Sequence, residues 1–135
     1  MPTAKELTIR LEDRPGTLGK ACRALADNKV NIVAFQSVLS EGKGLVRFVA
    51  DDSAKAKKTF DNEGLSYQET EIAEAKLSHR PGELARAASR LGEADINIDY
   101  AYCGVDPSTN RPLLIFGVVE AGQAAAILDR TAVAA

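Results

Sequence analysis

Two stretches of this sequence hold groups suited to gripping a charged small molecule. In each, a Pro-Gly pair, Pro15-Gly16 or Pro81-Gly82, precedes a segment of helical periodicity. A helix that starts there presents N–H groups without intrahelical partners and a partial positive charge of about half a unit, which favour a carboxylate. Glycine lets such a ligand approach the backbone. Downstream lie Asn31 and Asn97, whose side chains each offer an acceptor and donors and can meet an α-ammonium and a carboxylate together. Asp13, when ionised, suits the ammonium end. Each feature also has a purely structural reading, since a strand-to-helix turn needs its Pro-Gly whether or not anything binds, and asparagine caps helix exits.

Catalytic chemistry has little to work with. His79 is the only histidine, so a nucleophile triad lacks its base elsewhere, and a lone loop histidine reads first as a solvated surface group. No Gly-rich phosphate loop, paired metal-ligand motif or dinucleotide fingerprint occurs. Cys22 and Cys103 are the only cysteines, too few for a disulfide framework and too widely spaced for a short metal motif, and they read as free thiols. The expectation is a protein that is not an enzyme and uses no metal and no cofactor; Asp13, His79 and Cys103 are the faint candidates for the opposite case.

These groups need a scaffold, and 135 residues allow one ordinary domain or two very small ones. Hydrophobic residues at 45% and charged residues at 27% match an ordinary soluble globular chain. A net charge of -2 removes the broad basic surface from which nucleic-acid binding draws affinity, so no nucleic acid is expected as a partner. The Met-Pro-Thr-Ala-Lys-Glu start has no leader pattern, and no run approaches the ~18 apolar residues of a membrane span. A cytoplasmic location, away from membranes, is the expectation.

The scaffold is duplicated. Residues 13 to 37 align without gaps, at an offset of 66, onto residues 79 to 103, with eight of 25 pairs identical, against about one or two expected by chance. The identities include Arg14/Arg80, Pro15/Pro81, Gly16/Gly82, Leu18/Leu84, Leu25/Leu91, Asn31/Asn97 and Ile32/Ile98. Leu18, Ala21, Cys22 and Leu25 recur at i, i+3, i+4 and i+7, as do Leu84, Ala87, Ala88 and Leu91, which predicts one apolar helix face per copy. Proline is tolerated in the first helical turn, so both helices are expected to begin at the Pro-Gly pair.

Upstream, Leu7, Ile9 and Leu11 alternate with polar residues, as do Ala73, Ala75 and Leu77, the period of a half-buried strand. Downstream, Asn31 to Leu39 and Leu45 to Ala50 read as one hairpin, Asn97 to Cys103 and Leu113 to Val119 as another. The second hairpin loop, Gly104 to Pro112, is longer than Ser40 to Gly44, raising the offset to 68 and implying a surface insertion. Ser53 to Glu63 and Gly122 to Thr131 supply a second helix per copy, and Leu65 to Glu71 a fourth strand in the first. The expected fold class is α+β: two tandem ferredoxin-like βαββαβ units, residues 1–70 and 71–135, with antiparallel sheets and helices on one face. Because Ala135 aligns with Tyr67, the second unit is expected to be truncated at its fourth strand.

A strand ending in a Pro-Gly turn, a helix led by Leu, then Asn-Ile opening the next strand resembles the ACT domain. The resemblance rests on Asp13-Arg14-Pro15-Gly16-Thr17-Leu18 with Asn31-Ile32, and on His79-Arg80-Pro81-Gly82-Glu83-Leu84 with Asn97-Ile98. It implies a tandem ACT regulatory protein holding a small molecule, in that family an amino acid, near the Pro-Gly turns at a junction between ACT units. Both copies keep the family's interval of 18 residues between the residue two before the Pro-Gly and the asparagine, Asp13 to Asn31 and His79 to Asn97. The implied ligand-binding residues are Asp13, Gly16, Thr17, Leu18 and Asn31, with His79, Gly82, Glu83, Leu84 and Asn97. His79 departs from the usual Asp or Asn, and Leu11 and Leu77 stand where some ligand-binding relatives carry an imidazole. The resemblance further implies a homodimer and a metabolic enzyme as partner; a subunit that only holds such an enzyme, with no metabolite, is the alternative.

Overall fold

The computed structural model describes residues 3–134. Ten elements follow in order: β1 (Thr3–Glu12), α1 (Thr17–Asp27), β2 (Ile32–Ser40), β3 (Lys43–Ala50), α2 (Ser53–Asn62), β4 (Tyr67–Lys76), α3 (Glu83–Glu93), β5 (Tyr100–Val105), β6 (Pro112–Gly117) and α4 (Ala121–Ala134). The chain divides into two compact units, Lys5–Thr70 and a second that begins at Glu71 and also takes in Thr3 and Ala4. The α+β content and the βαββαβ order match the ferredoxin-like expectation for the first unit. Leu65 to Glu71 and Ala73 to Leu77, expected as separate strands, are largely one unbroken strand, β4, because no turn residue separates them. Among the described residues no strand follows α4, and the expectation placed on Ala135 lies outside them.

In the first unit β3 is flanked by antiparallel partners, with Leu7↔Phe48 and Glu12↔Lys43 on one side and Phe35↔Phe48 and Ser40↔Lys43 on the other. Glu41 at φ 53° and Gly42 at φ 76° make the tight β2–β3 turn, matching the type I′ pattern that suits strand twist. Alternation sends Leu7, Ile9 and Leu11 to the same side as Val46 and Phe48, where Ala21 and Leu25 of α1 and Ala56 and Phe60 of α2 close the core. The second unit repeats the plan. Ala73, Ala75, Leu77 and Phe116 meet Ala87 and Leu91 of α3 and Ala124 and Leu128 of α4.

The helices start later than expected. Gly16 at φ 92° and Gly82 at φ 91° are left-handed N-caps, so α1 opens at Thr17 and α3 at Glu83, and the prolines stand outside. These angles are those of the glycine position of a type II turn, with proline before it, and that turn prevents helix from extending back through the pair. β5 likewise begins at Tyr100, where its ladder to β6 ends at Tyr100↔Gly117, and not at Asn97; Asn97 Nδ2 donates to Asp99 Oδ1 (3.0 Å) just before it.

Both repeated helices end alike. Val30 N–H donates to Leu25 O and Lys29 N–H to Ala26 O, both at 2.9 Å; Ile96 and Asp95 repeat the pair with Leu91 and Gly92. This is the Schellman ending, whose left-handed residue is normally glycine. Here it is Lys29 (φ 59°) and Asp95 (φ 63°), whereas α2 uses Gly64 (φ 70°). Lys29→Gly and Asp95→Gly are therefore each expected to stabilise by about 0.5–1 kcal/mol, relief of strain exceeding the entropy glycine adds to the unfolded chain. Urea denaturation measures it, and an unchanged or lowered midpoint would refute the strain.

The longer hairpin of the second unit is built around Asp106. Its carboxylate, buried, accepts from Thr109 Oγ1 (2.6 Å) and Ser108 Oγ (3.0 Å), with Lys76 Nζ at 3.8 Å. The Thr109 hydrogen bond first, with help from Ser108 and the Lys76 charge, holds this carboxyl below the usual range.

Candidate functional site

The β1–α1 turn of the first unit leaves its helix end open. Thr17 Oγ1 lies 2.9 Å from Glu12 O and 3.2 Å from Arg14 O, so that hydroxyl ties the turn together and does not cap the helix. The N–H groups of Thr17, Leu18 and Gly19 make no hydrogen bond among the described residues, and the first turn contains no acidic residue. The partial positive charge expected of a helix start is left without a counter-charge from its own first turn.

Beside this turn is a cleft of about 340 Å³, walled by β1 at Arg10 and Leu11, by α1 at Thr17, Lys20 and Ala21, by Lys43, and by Glu63 and Leu65 after α2. Leu11, Ala21 and Leu65 give it an apolar floor continuous with the first core. Arg14 on its rim is held by Glu12 at 2.7 Å, a pair that keeps the Glu12 carboxyl below the usual range. Arg10 and Lys20 make no ion pair or hydrogen bond among the described residues, and Lys43 acts on Glu12 through charge alone. Glu63 likewise has no partner there. The arrangement presents unpaired cations, one unpaired carboxylate and a helix start to the same hollow.

The second unit differs at the equivalent place. Glu83, its side chain 9% exposed, accepts from Arg86 at 2.8 Å and Arg80 at 3.2 Å, and its own N–H donates to Arg80 O at 3.4 Å. The hollow lined by His79, Glu83 and Leu84 is only about 110 Å³.

The expected site residues fall into separate groups. Thr17 lines the larger cleft; Gly16 shapes the turn; Leu18 packs on the first core; Asp13 is exposed on the turn. Gly82 shapes the second turn, and Leu84 is 55% exposed. Asn31 lies elsewhere. The turn follows Glu12, paired with Lys43 at the start of β3, whereas Asn31 N–H donates to Asp51 Oδ1 (2.9 Å) and its carbonyl accepts from Asp51 N–H (3.0 Å), just past the far end of β3. That is roughly 25 Å of strand at ~3.4 Å per residue. Asn97 is placed the same way, two residues before Asp99, whose N–H donates to Gly117 O at the end of β6. Turn and asparagine of one unit therefore do not meet. Arg10, Lys20, Lys43 and Glu63 were not expected as site residues; the available signal was the charge pattern shared between the repeats.

Among the described residues no helix is long and apolar enough to cross a membrane. The thiols of Cys22 and Cys103 are free, the first pushed up in pKa by burial.

Against known proteins, the model of the family described as an ACT domain pair matches residues 2–132. No curated protein sequence matches the chain. A crystal structure of a protein from Bacteroides thetaiotaomicron superposes with TM-score 0.83 at 22% identity, covering 96% of this chain and 88% of that one. The ligand-free regulatory subunit of aspartate kinase from Thermus thermophilus gives TM-score 0.63 at 16% identity, covering 96% and 92%. The same subunit from Thermus flavus gives 0.60 at 16%, covering 97% and 93%. At these identities the likeness speaks for the fold.

Proposed function

From the premise that this chain belongs to the family of paired ACT domains, we propose that it is a regulatory protein without catalysis of its own, which binds a small amino acid or related metabolite and passes that occupancy to a partner. One observation carries the reading: the helix start after Gly16 keeps its Thr17, Leu18 and Gly19 amides unoccupied, among the described residues, beside a cleft in which Arg10 and Lys20 are unpaired. The aspartate kinase regulatory subunits of the same fold support a regulatory role.

Within one unit the turn and the asparagine stand at opposite ends of β3. A ligand held by both must take the turn from one ACT unit and the asparagine from another, which favours a junction between ACT units. Such a ligand senses the placement of units, and it biases that placement only through differential affinity. A homodimer working in the cytoplasm, with its second unit's fourth strand absent or supplied by another chain, completes the proposal; a strictly monomeric mass by light scattering refutes the dimer.

A panel of common amino acids in a thermal-shift assay tests the reading. Ligand at ~100 times its dissociation constant adds about 2.7 kcal/mol and raises the melting temperature by several degrees. Asn31→Ala or Asn97→Ala is expected to abolish the response with the fold intact. A response unchanged in both variants sinks the junction arrangement. A second reading, a subunit that holds a separately encoded metabolic enzyme and needs no metabolite, is favoured by Phe35 and Leu39, 49% and 67% exposed on β2. Co-purification of a catalytic chain without any amino-acid response supports that alternative.

A further inference from the structure

The two repeats carry the same cations and differ in what neutralises them. At the offset of 66, Arg10, Arg14 and Lys20 correspond to Lys76, Arg80 and Arg86; at 68, Lys43 corresponds to Arg111. The strand registers agree with this pairing, since Arg10 faces Leu45 in the first unit and Lys76 faces Leu113 in the second, the same rung at these offsets.

In the second unit the protein supplies the anions. Glu83, standing where the first unit has Thr17, takes Arg86 at 2.8 Å and Arg80 at 3.2 Å, and Asp106 of the longer hairpin lies 3.8 Å from Lys76. In the first unit Thr17 has no charge, and the two-residue Glu41-Gly42 turn replaces the loop that holds Asp106. Arg10 and Lys20 are consequently left without anionic partners in a cleft of about 340 Å³. A buried carboxylate at the duplicated position shows what chemistry this cation set holds.

We propose that the first-unit cleft binds an acidic amino acid, with its carboxylates against Arg10, Lys20 and Lys43 and its ammonium against Glu63, and that Glu83 is the built-in occupant of the equivalent second position. Each carboxylate contact to a cation is charge-assisted, and together they select for ligand charge over ligand size. The inference rests on the regulatory reading above and narrows its ligand. It also makes the molecule asymmetric: one responsive site and one permanently filled.

Isothermal titration of the full chain with L-glutamate, L-aspartate, L-glutamine, L-asparagine and inorganic phosphate is the test. The acidic amino acids are expected to bind at one per chain, at least tenfold more tightly than their amides, and more weakly as salt rises. Thr17→Glu, which copies the second unit, is expected to abolish that binding. Lys20→Gln, at an exposed position where folding is not at stake, weakens it about tenfold. Amides binding as tightly as acids, untouched by either variant, overturn the inference and leave the amino-acid sensor standing. Phosphate binding alone, lost in both variants, overturns the acidic amino acid as the occupant, and so does no heat with any probe; in either case the wider amino-acid panel decides the sensor reading separately.

Discussion

Phe60→Ala is expected to destabilise the first unit by about 3–5 kcal/mol, the range for deleting a buried aromatic ring. Phe60 is fully buried, and its ring centroid lies 5.8 Å from Phe48 and 6.3 Å from Tyr67, so one side chain ties α2 to both β3 and β4. Ala56 and Thr59, also buried on α2, are too small to keep the helix seated alone. Collapse around the missing ring is limited because Leu7, Ile9, Leu25 and Val46 are already fully buried in the same cluster. Urea denaturation followed by circular dichroism measures the loss. A change below about 1.5 kcal/mol, the size expected of a volume-conserving swap, would mean that the site relaxes and that Phe60 is not the anchor.

Gly117→Ala is expected to cost about 1–3 kcal/mol, toward the upper end, for an unusual reason. A methyl group at Gly117 would stand 2.2 to 2.5 Å from three atoms of the Tyr100 ring, which lies across the glycine from the neighbouring strand. The ring would have to leave its stack on Tyr102, 6.3 Å away and nearly parallel at 8°. At the corresponding positions the first unit pairs Ala34 with Val49. Large and small have traded places between repeats, so volume is conserved across the pair and not at either position. Pairing Gly117→Ala with Tyr100→Ala in a double-mutant cycle separates clash from propensity. If the clash dominates, most of the alanine penalty vanishes when the tyrosine is gone; a fully additive cycle refutes the account.

That exchange shows what sequence comparison can and cannot reach. The duplication is legible because Leu18, Leu25, Leu84 and Leu91 mark the same helical stripe at a constant offset. The type and order of the elements follow from period alone. Where each begins does not, because Pro-Gly satisfies both a first helical turn and a type II turn, and only Gly16 at φ 92° decides between them. The candidate site was legible in its turns and not in its assembly. An interval of 18 residues from Asp13 to Asn31 is the same number whether the chain returns to the same end of the sheet or stops at the other. Here a helix runs down between them, so the asparagine arrives at the far end. The cation cluster draws Arg10 from β1, Lys20 from α1 and Lys43 from β3. No local pattern joins those three; their repeat mates Lys76, Arg86 and Arg111 were the only trace.

The continuity of β4 carries a consequence for how this gene can vary. Ala73, Ala75 and, just beyond the strand, Leu77 turn toward the second core, all odd-numbered on an alternating backbone. Adding or deleting one residue between Ala73 and Leu77 turns part of that set away from the core, whereas a change of two restores the phase. Length changes there are thus admissible only in even steps, a parity rule written into the strand itself.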